Sequence, residues 1–582
     1  MQLSETGKRW ILPKVDVDSI DVLVRELGIF RLTAKILVQR GISSPELAYK
    51  FLNPSLDDLG RPESLPDYEK AVNEILAAKE SGALIFVHGD YDVDGVTSAA
   101  IFDRFLKKIG CNVYTHVPHR TKEGYGINMN LVHEAKDRGA KVFLTCDCGI
   151  GAHDQVEAAL QHGMRVVVTD HHELKETMPN AHAVVNPHRA DNEYPFPALS
   201  GAGVVFRLCE GIAKELDPGS VGSYRKNYLD LAALGTIADV MPLIEDNRII
   251  AKFGLERLTE SKKKGIIALK NVSEIKGKVG SYDVGFKLGP RLNAAGRIDD
   301  AALALQLLLC EDDESAVKLA SELDKHNLDR RTVQELMIEQ AIAKVEALPS
   351  LPNALLIFDD SWHAGVVGIV AGKLKDRFNR PAFVGCIEPE SGRGKASGRS
   401  IPGLNLAAMI QNYPLIVSGG GHAMAAGIAF DVDNIDTISK AFNQYVSQFL
   451  KPEDFIPAIE LTADVEGETL SFGLLEELEK LQPFGMANPK PILFSSGVKV
   501  ESLRSMGDGT HANLSLHPRV SQSTVRGVGF GLYDKFANIG SGKTVDLAFE
   551  PQINEFQGNR TVQWKISDLR QADDAEVQPS LK

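Results

Sequence analysis

A chain of 582 residues with a formal net charge of −14, 43% hydrophobic and 24% charged, is too long for one core and reads as three or four globular domains. No apolar run approaches the ~20 residues of a membrane span, the opening "MQLSETGKRWILPK" lacks a secretory apolar region, and six cysteines without framework spacing fit a reducing, cytoplasmic setting. The acidic balance excludes a generally basic surface, so a nucleic-acid binder of this composition must concentrate its Lys and Arg locally.

Residues 1–75 carry short helical patterns such as "IDVLVRELGI" and "SPELAYKFL", and are expected to pack on the domain that follows. From residue 83 strand and helix patterns alternate: "ALIFV", a helix to residue 109, "CNVYTHV", "MNLVHEAKDRG", "KVFLTCDCG", "HDQVEAALQHG", "RVVVTDHH" and "AHAVVNP". Such alternation predicts an α/β domain over 76–298, with a mostly parallel sheet and helices on both faces. Residues 299–348 contain neither Gly nor Pro, which predicts connecting helices, one of them spanning 315–346. A second α/β domain is expected over 349–450. The segment "KPEDFIP" (451–457) reads as a linker. The strands and turns of 451–582 then predict a small β-barrel, with the OB-fold as leading candidate.

The stretch "HGDYDVDG" sets Asp90, Asp92 and Asp94 at alternate positions before Gly95. That is the opening of an EF-hand calcium loop, but such a loop needs a bidentate Glu at its twelfth position and flanking helices. The twelfth residue here is Ile101, and an apolar strand precedes. The aspartates therefore sit on a strand-to-helix turn, where α/β sheets bind ligands. "LTCDCG" and "VVVTDHHE" place Asp147, and then Asp170, His171 and His172, at further strand ends. "LGTIADVMP" places Asp239 near the end of a helix. A lone Asp at a strand end is usually a turn residue or helix cap. Four acidic clusters at matching topological positions carry more weight. Mixed carboxylate and imidazole ligands suit Mn²⁺, Mg²⁺ or Zn²⁺, and the set has enough ligands for two ions. Cys146 and Cys148 lack the usual zinc spacing and read as buried small residues.

"HGDYDVDG", "TCDCG", "VTDHHE" and "GTIADVMPL" resemble, in order and spacing, the four metal motifs of the DHH phosphoesterase superfamily. "PHRTKEGYG" (118–126), "GPRLNAAGR" (289–297), "ASGRS" (396–400) and "SGGGHAMAAG" (418–427) resemble the RecJ family of single-strand-specific exonucleases. The resemblance covers about 83–450, and the β-rich C-terminal region fits that family's OB domain. It implies two Mn²⁺ or Mg²⁺ ions between a DHH domain and a DHHA1-type domain. The ligands it implies are His88, Asp92 and Asp94, with Asp147 as the bridge and His171 and Asp239 completing the second site. Asp90 and Asp170 are counted with the metal residues, Asp90 either as a ligand or behind one, and Asp170, like His172, either orienting ligands or facing substrate.

Phosphodiester cleavage needs an activated water and positive charge around the phosphoryl oxygens. His422 in "GGGH" is expected to donate to a phosphate oxygen or the leaving group. Arg120, Arg297, Ser397 and Arg399 are assigned to phosphate contacts, since a terminal phosphate suits arginine forks and hydroxyls. Asn293 either bonds substrate or fixes its loop. Phe484, Phe556 and Trp564 are candidate base-stacking residues of the barrel, with core packing the default for aromatics in strands. The expected function is a 5′→3′ exonuclease that degrades single-stranded DNA to 5′-mononucleotides in repair and recombination. The family implies a single-strand-binding protein and a helicase as partners. The alternatives are a DHH phosphodiesterase for oligoribonucleotides or cyclic dinucleotides, and a non-catalytic replication scaffold.

Overall fold

The alternation that begins at residue 83 becomes a five-stranded parallel sheet in the order Asn112–His116, Leu84–Gly89, Val142–Cys146, Arg165–Thr169, Ala183–Val185. The computed structural model describes residues 2–572 apart from 15, 120–122, 125, 175–176, 299–300, 389–391, 412, 466–467, 520–522 and 557. Successive strand residues point to opposite faces, and both faces are covered. Ile85, Val87, Val142, Leu144 and Val167 join one core with helices Val93–Lys108 and Gly201–Leu216. Phe86, Phe143, Val166 and Val168 join another with helices Met129–Asp137 and His153–Gln161. In chain order the strands run 2-1-3-4-5. The order reverses between Leu84–Gly89 and Val142–Cys146, and a crevice at the carboxyl end of such a switch point is where ligands bind. Asp90, Asp92 and Asp94 leave one of these strands and Asp147 leaves the other.

The chain divides into two compact units, one formed by residues 54–332 and 483–489, the other by 1–53, 333–482 and 490–582. The expected long helix is Asp313–Glu346 and runs through the boundary. The second unit holds a five-stranded sheet in the order Ser418–Gly421, Ala425–Asp431, Arg393–Arg399, Ala382–Glu388, Leu355–Phe358, antiparallel except for the last pair. Phe383, Ile428 and Phe430 pack under helix Ile435–Phe449, and Leu355 and Val384 under helix Val367–Phe378. The same unit holds a closed barrel: Leu493–Met506, His511–His517, Val525–Gly529, Asn559–Gln571, Thr544–Phe556 and back to Leu493–Met506. Its one parallel pairing, Val525–Gly529 with Asn559–Gln571, and the helix Tyr533–Ile539 after the third strand make it an OB-fold.

Two expectations about organisation are corrected. The N-terminal segment does not pack as one piece on the first α/β domain, because residues 1–53 belong with the barrel-containing unit. Arg9–Ile11 forms a parallel strand pair with Ala458–Glu460, the Trp10 indole donates to Asp568 (2.9 Å), and Lys35 pairs with Asp464 (3.0 Å). Nor is 451–457 a plain linker: Pro452–Phe455 forms a 3₁₀ turn, and the Arg380 guanidinium lies 4.0 Å from the Phe455 ring centroid. Residues 483–489 return to the first unit, where Leu243 N–H donates to the Met486 carbonyl (2.8 Å) and Ser281 Oγ to that of Phe484 (2.6 Å). Trp564 is 2% exposed and stacks on Phe549 at 3.8 Å, so it is core. The Phe556 side chain lies outside the described residues.

Candidate metal centre and phosphate site

The aspartate ladder is built by a capped helix start. Asp92 caps helix Val93–Lys108, its carboxylate accepting the Gly95 N–H (3.0 Å). Asp94, in the first turn, is buried and accepts the N–H groups of Gly201 (2.6 Å) and Ala202 (2.9 Å), at the start of helix Gly201–Leu216 where the helix dipole favours an anion. Asp147 follows its strand in the left-handed region, φ 60°, a conformation rare for non-glycine residues and one that gathers at functional sites. Asp170 is saturated. Its Oδ1 accepts from the His171 N–H (2.7 Å), the His172 N–H (3.1 Å) and His172 Nδ1 (2.8 Å), and its Oδ2 from Ile150 N–H (2.9 Å). Asp239 ends helix Val221–Ala238, and Val240 after it turns with φ 59°.

Three sets of potential ligand atoms each lie within 4.8 Å: Asp147, His171 and His172; Asp94, His171 and Asp239; Asp90, Asp92 and Asp147. His88 and Asp170, expected among the ligands, stand outside these sets. Both ring nitrogens of His88 are engaged, Nδ1 at 3.3 Å from His116 Nδ1 and Nε2 at 3.2 Å from the Gly126 carbonyl. Asp170 directs its lone pairs to backbone donors and His172. Cys146 and Cys148 are fully buried, and both thiols face the His88 carbonyl.

The electrostatics are those of an anion cluster short of positive charge. Burial and then Asp92 push Asp90 up to about 8 and Asp94 up to about 7. Burial and then Asp94 push Asp239 up to about 8 and hold Asp147 well above the usual carboxylate range. Burial, then His172, pulls His171 down to about 4. For His172 burial is outweighed by the Asp170 hydrogen bond and charge, which hold it up at about 9.

Buried carboxylates cannot all ionise without a cation among them. The polar atoms point the same way. Asp90 Oδ1 and Asp147 Oδ1 are buried with no hydrogen-bond partner, although His171 Nε2 stands 3.0 Å from Asp147 Oδ1 and 3.7 Å from both Asp94 and Asp239. Adjacent ligands of an octahedral ion at about 2.1 Å lie about 3.0 Å apart. The donor set fits divalent metal of the Mn²⁺ or Mg²⁺ kind.

Three glycines shape this centre, Gly95 of the aspartate motif and two, Gly201 and Gly235, that motif reading passed over. A Cβ on Gly95 would lie 2.5 Å from the Asp90 carbonyl oxygen, one on Gly201 2.6 Å from Asp147 Cβ, and one on Gly235 2.4 Å from Thr97 Oγ1 and 2.5 Å from Asp94 Oδ1. The available signal was a glycine inside apolar helical sequence, "LSGAGVVF" and "ALGTIA", which costs helix propensity and so asks for a packing reason.

The second unit holds two of the four expected phosphate residues. Ser397 and Arg399 lie two apart on one strand, beside the start of helix Val367–Phe378. A Cβ on Gly368 would meet Arg399 Nη2 at 3.3 Å and Ser397 Oγ at 3.5 Å. Arg399 Nη1 donates to the Gly398 carbonyl (2.8 Å), and no carboxylate pairs with its guanidinium among the described residues. Burial pushes that guanidinium below its ordinary value. A half-buried cation beside helix N–H groups suits a phosphate. The exposed His422 follows the strand Ser418–Gly421, two ladder positions from Arg393–Arg399. Asn293 is half-buried on helix Gly289–Ile298. Arg120 and the Arg297 side chain lie outside the described residues.

Comparison with known proteins matches the DHH family N-terminal domain at residues 84–236, the DHHA1 domain at 350–448 and the RecJ OB domain at 461–568. The chain is 36% identical over 564 residues to the single-stranded-DNA-specific exonuclease RecJ of Bacillus subtilis, covering 96% of this chain and 70% of that one. It is 34% identical over 577 residues to the Escherichia coli protein of that name, covering 96% and 98%. The crystal structure of RecJ in complex with Mn²⁺ from Thermus thermophilus matches with a TM-score of 0.83 at 29% identity, over 98% of this chain and 80% of that one.

Proposed function

Because the chain belongs to the RecJ family of single-stranded-DNA-specific exonucleases, we propose that it removes 5′-mononucleotides from the 5′ end of single-stranded DNA in a reaction that depends on two divalent ions. The observation that carries this reading is the cluster Asp90, Asp92, Asp94, Asp147, His171 and Asp239, in which Asp90, Asp94, Asp147 and Asp239 are held above the usual carboxylate range and call for cations. Bound Mn²⁺ or Mg²⁺ supplies an activated water and charge at the phosphoryl oxygens. The protein's own part is placement. The Gly201 and Ala202 amides hold Asp94, and Asp170 fixes the His172 ring through Nδ1. His422 is the proposed hydrogen-bond donor to the reacting phosphate.

Ser397 and Arg399 are proposed to take the terminal 5′-phosphate, which sets the direction of digestion. The closed OB barrel disfavours a phosphodiesterase for oligoribonucleotides or cyclic dinucleotides, and the intact ligand set disfavours a non-catalytic scaffold. The proposal includes a cytoplasmic role in DNA repair and recombination beside a single-strand-binding protein and a helicase. Digestion of 5′-labelled single-stranded DNA, duplex DNA and RNA with Mn²⁺ tests it. Labelled mononucleotide should appear first, from single-stranded DNA only, and EDTA should stop it. Label released first as longer fragments would overturn the 5′-exonuclease reading.

Arg399→Ala is expected to raise KM on 5′-phosphorylated strands roughly tenfold or more while kcat changes little, because a guanidinium on a non-reacting phosphate binds ground and transition states alike. On 5′-hydroxyl strands the same variant should match the wild type. Equal losses on both ends would move Arg399 out of the phosphate pocket.

A further inference from the structure

We propose that Tyr282 and Phe286 form a platform on which an unpaired nucleobase of the substrate strand stacks beside the metal centre, so that single-strandedness is read by a base face. The inference rests on the exonuclease reading and names residues for it that the motifs did not.

Tyr282 and Phe286 are 65% and 63% exposed, yet their rings stack on each other at 4.7 Å and 24°. Large aromatics are seldom left on a surface without a partner to receive. They share the outer face of a helical run from Ser281 to Ile298 whose inner face, Val284, Leu288 and Leu292, is buried in the catalytic core.

That run passes the metal centre. A Cβ on Gly289 would lie 3.5 Å from the Cβ of Ala238, the neighbour of Asp239, and one on Gly296 would lie 2.9 Å from the carbonyl oxygen of Tyr91, between Asp90 and Asp92. Around Phe286 the helix makes a π-turn, the Gly289 N–H reaching back to the Val284 carbonyl, a distortion frequent at functional sites. Position 293, and 297 four further on, continue the run toward the centre. The apolar surface also continues toward it. Val240, next to Asp239, is 59% exposed and Met486 54%, and the hydrogen bonds from Leu243 to Met486 and from Ser281 to Phe484 draw these segments together.

In sequence the exposed Lys276 and Lys278 precede the pair, while Lys287 is paired with Asp283 at 2.7 Å, so the cations offered to a phosphodiester backbone near the aromatic face are Lys276 and Lys278. This is the combination that single strands use. A duplex presents no free base face, and a purely apolar protein partner would not call for the lysines.

The test uses the full-length protein, a Tyr282→Ala/Phe286→Ala variant and a conservative Tyr282→Phe/Phe286→Tyr variant. Substrates are 5′-phosphorylated strands with ordinary nucleotides or with abasic sites near the 5′ end. Loss of stacking should raise KM, and weaken strand binding measured in EDTA, by roughly 5- to 150-fold for the alanine variant. The salt dependence of binding should not change, since no phosphate contact is removed. The conservative variant should behave as wild type, and on abasic strands all three proteins should coincide. Unchanged affinity, or equal losses on ordinary and abasic strands, overturns the proposal. So does a change in oligomeric state by sedimentation with KM unaltered, which would assign the patch to self-association. Absence of strand digestion by the wild type would instead sink the exonuclease reading, while EDTA binding would still decide the platform.

Discussion

Asp147→Ala is expected to lose at least about a thousandfold in turnover and yet, without metal, to melt no lower than the wild type. Asp147 stands in two of the three potential ligand sets, so its loss strips donors from both. Stability runs the other way. In the folded metal-free protein burial and the surrounding aspartates hold Asp147 protonated well above the usual range, so a charged carboxylate at this position opposes folding. The pH dependence follows from the same sign. Asp94, Asp90 and Asp239 are raised to about 7, 8 and 8 in the folded state, against roughly 3.9 in an unfolded chain. Between about pH 4 and 8 the unfolded state binds fewer protons, so metal-free stability falls as pH rises. A divalent ion takes the place of those protons. The rise in Tm on adding Mn²⁺ should therefore be larger near pH 8 than near pH 5.5 in the wild type, and should shrink at both in Asp147→Ala. Melting curves with Mn²⁺ and with EDTA, together with turnover on 5′-labelled single strands, check both halves. Near-normal turnover of the variant in Mn²⁺ would show that Asp147 is not a ligand.

The parallel sheet and its acidic edge were legible because both are local signals. Each strand is a short apolar run, and each acidic cluster follows directly on a strand or a helix end. The helix after "HGDYD" begins at Val93 rather than at the first apolar-periodic residue, Val96, because Asp92 is a cap, a distinction that hydrophobic spacing cannot make. What stayed hidden depends on encounters between distant segments. "RWI" gives no sign that it will pair with residues 458–460, and nothing in "PFGMANP" says that it returns to the first unit. His88 is placed in a ligand motif by its neighbours in sequence, which carry no sign that His116 and the Gly126 carbonyl will stand beside its ring nitrogens. The barrel aromatic Trp564 behaved as its strand position implied, packed against Phe549. The Tyr282–Phe286 pair shows the reverse, since an i, i+4 aromatic pair reads as core until exposure is known.

Gly201→Ala should cost about a hundredfold in turnover and weaken Mn²⁺ binding while leaving the protein folded. Local propensity argues for a gain, since Ala is favoured over Gly within a helix by about 1 kcal/mol. Packing argues for a loss. The new Cβ would lie 2.6 Å from Asp147 Cβ, 2.7 Å from its Oδ1 and 2.8 Å from its Cγ, distances that force either the left-handed Asp147 turn or the start of helix Gly201–Leu216 to move. Overpacking of this kind costs about 1–3 kcal/mol, so the net stability change is small and the displacement is what matters. The helix start cannot retreat alone, because the Gly201 and Ala202 N–H groups hold Asp94. One methyl group thus disturbs carboxylates from two loops, and a ligand misplaced by an ångström is enough to lose a hundredfold. Gly222→Ala is the control. It lies in the first turn of helix Val221–Ala238 with nothing within 4 Å of its would-be Cβ, so it tests the helix-propensity change without the contact. Isothermal titration of Mn²⁺ and steady-state turnover on single strands should separate the two variants. If both match the wild type, the close approach of Gly201 to Asp147 does not position the ligands.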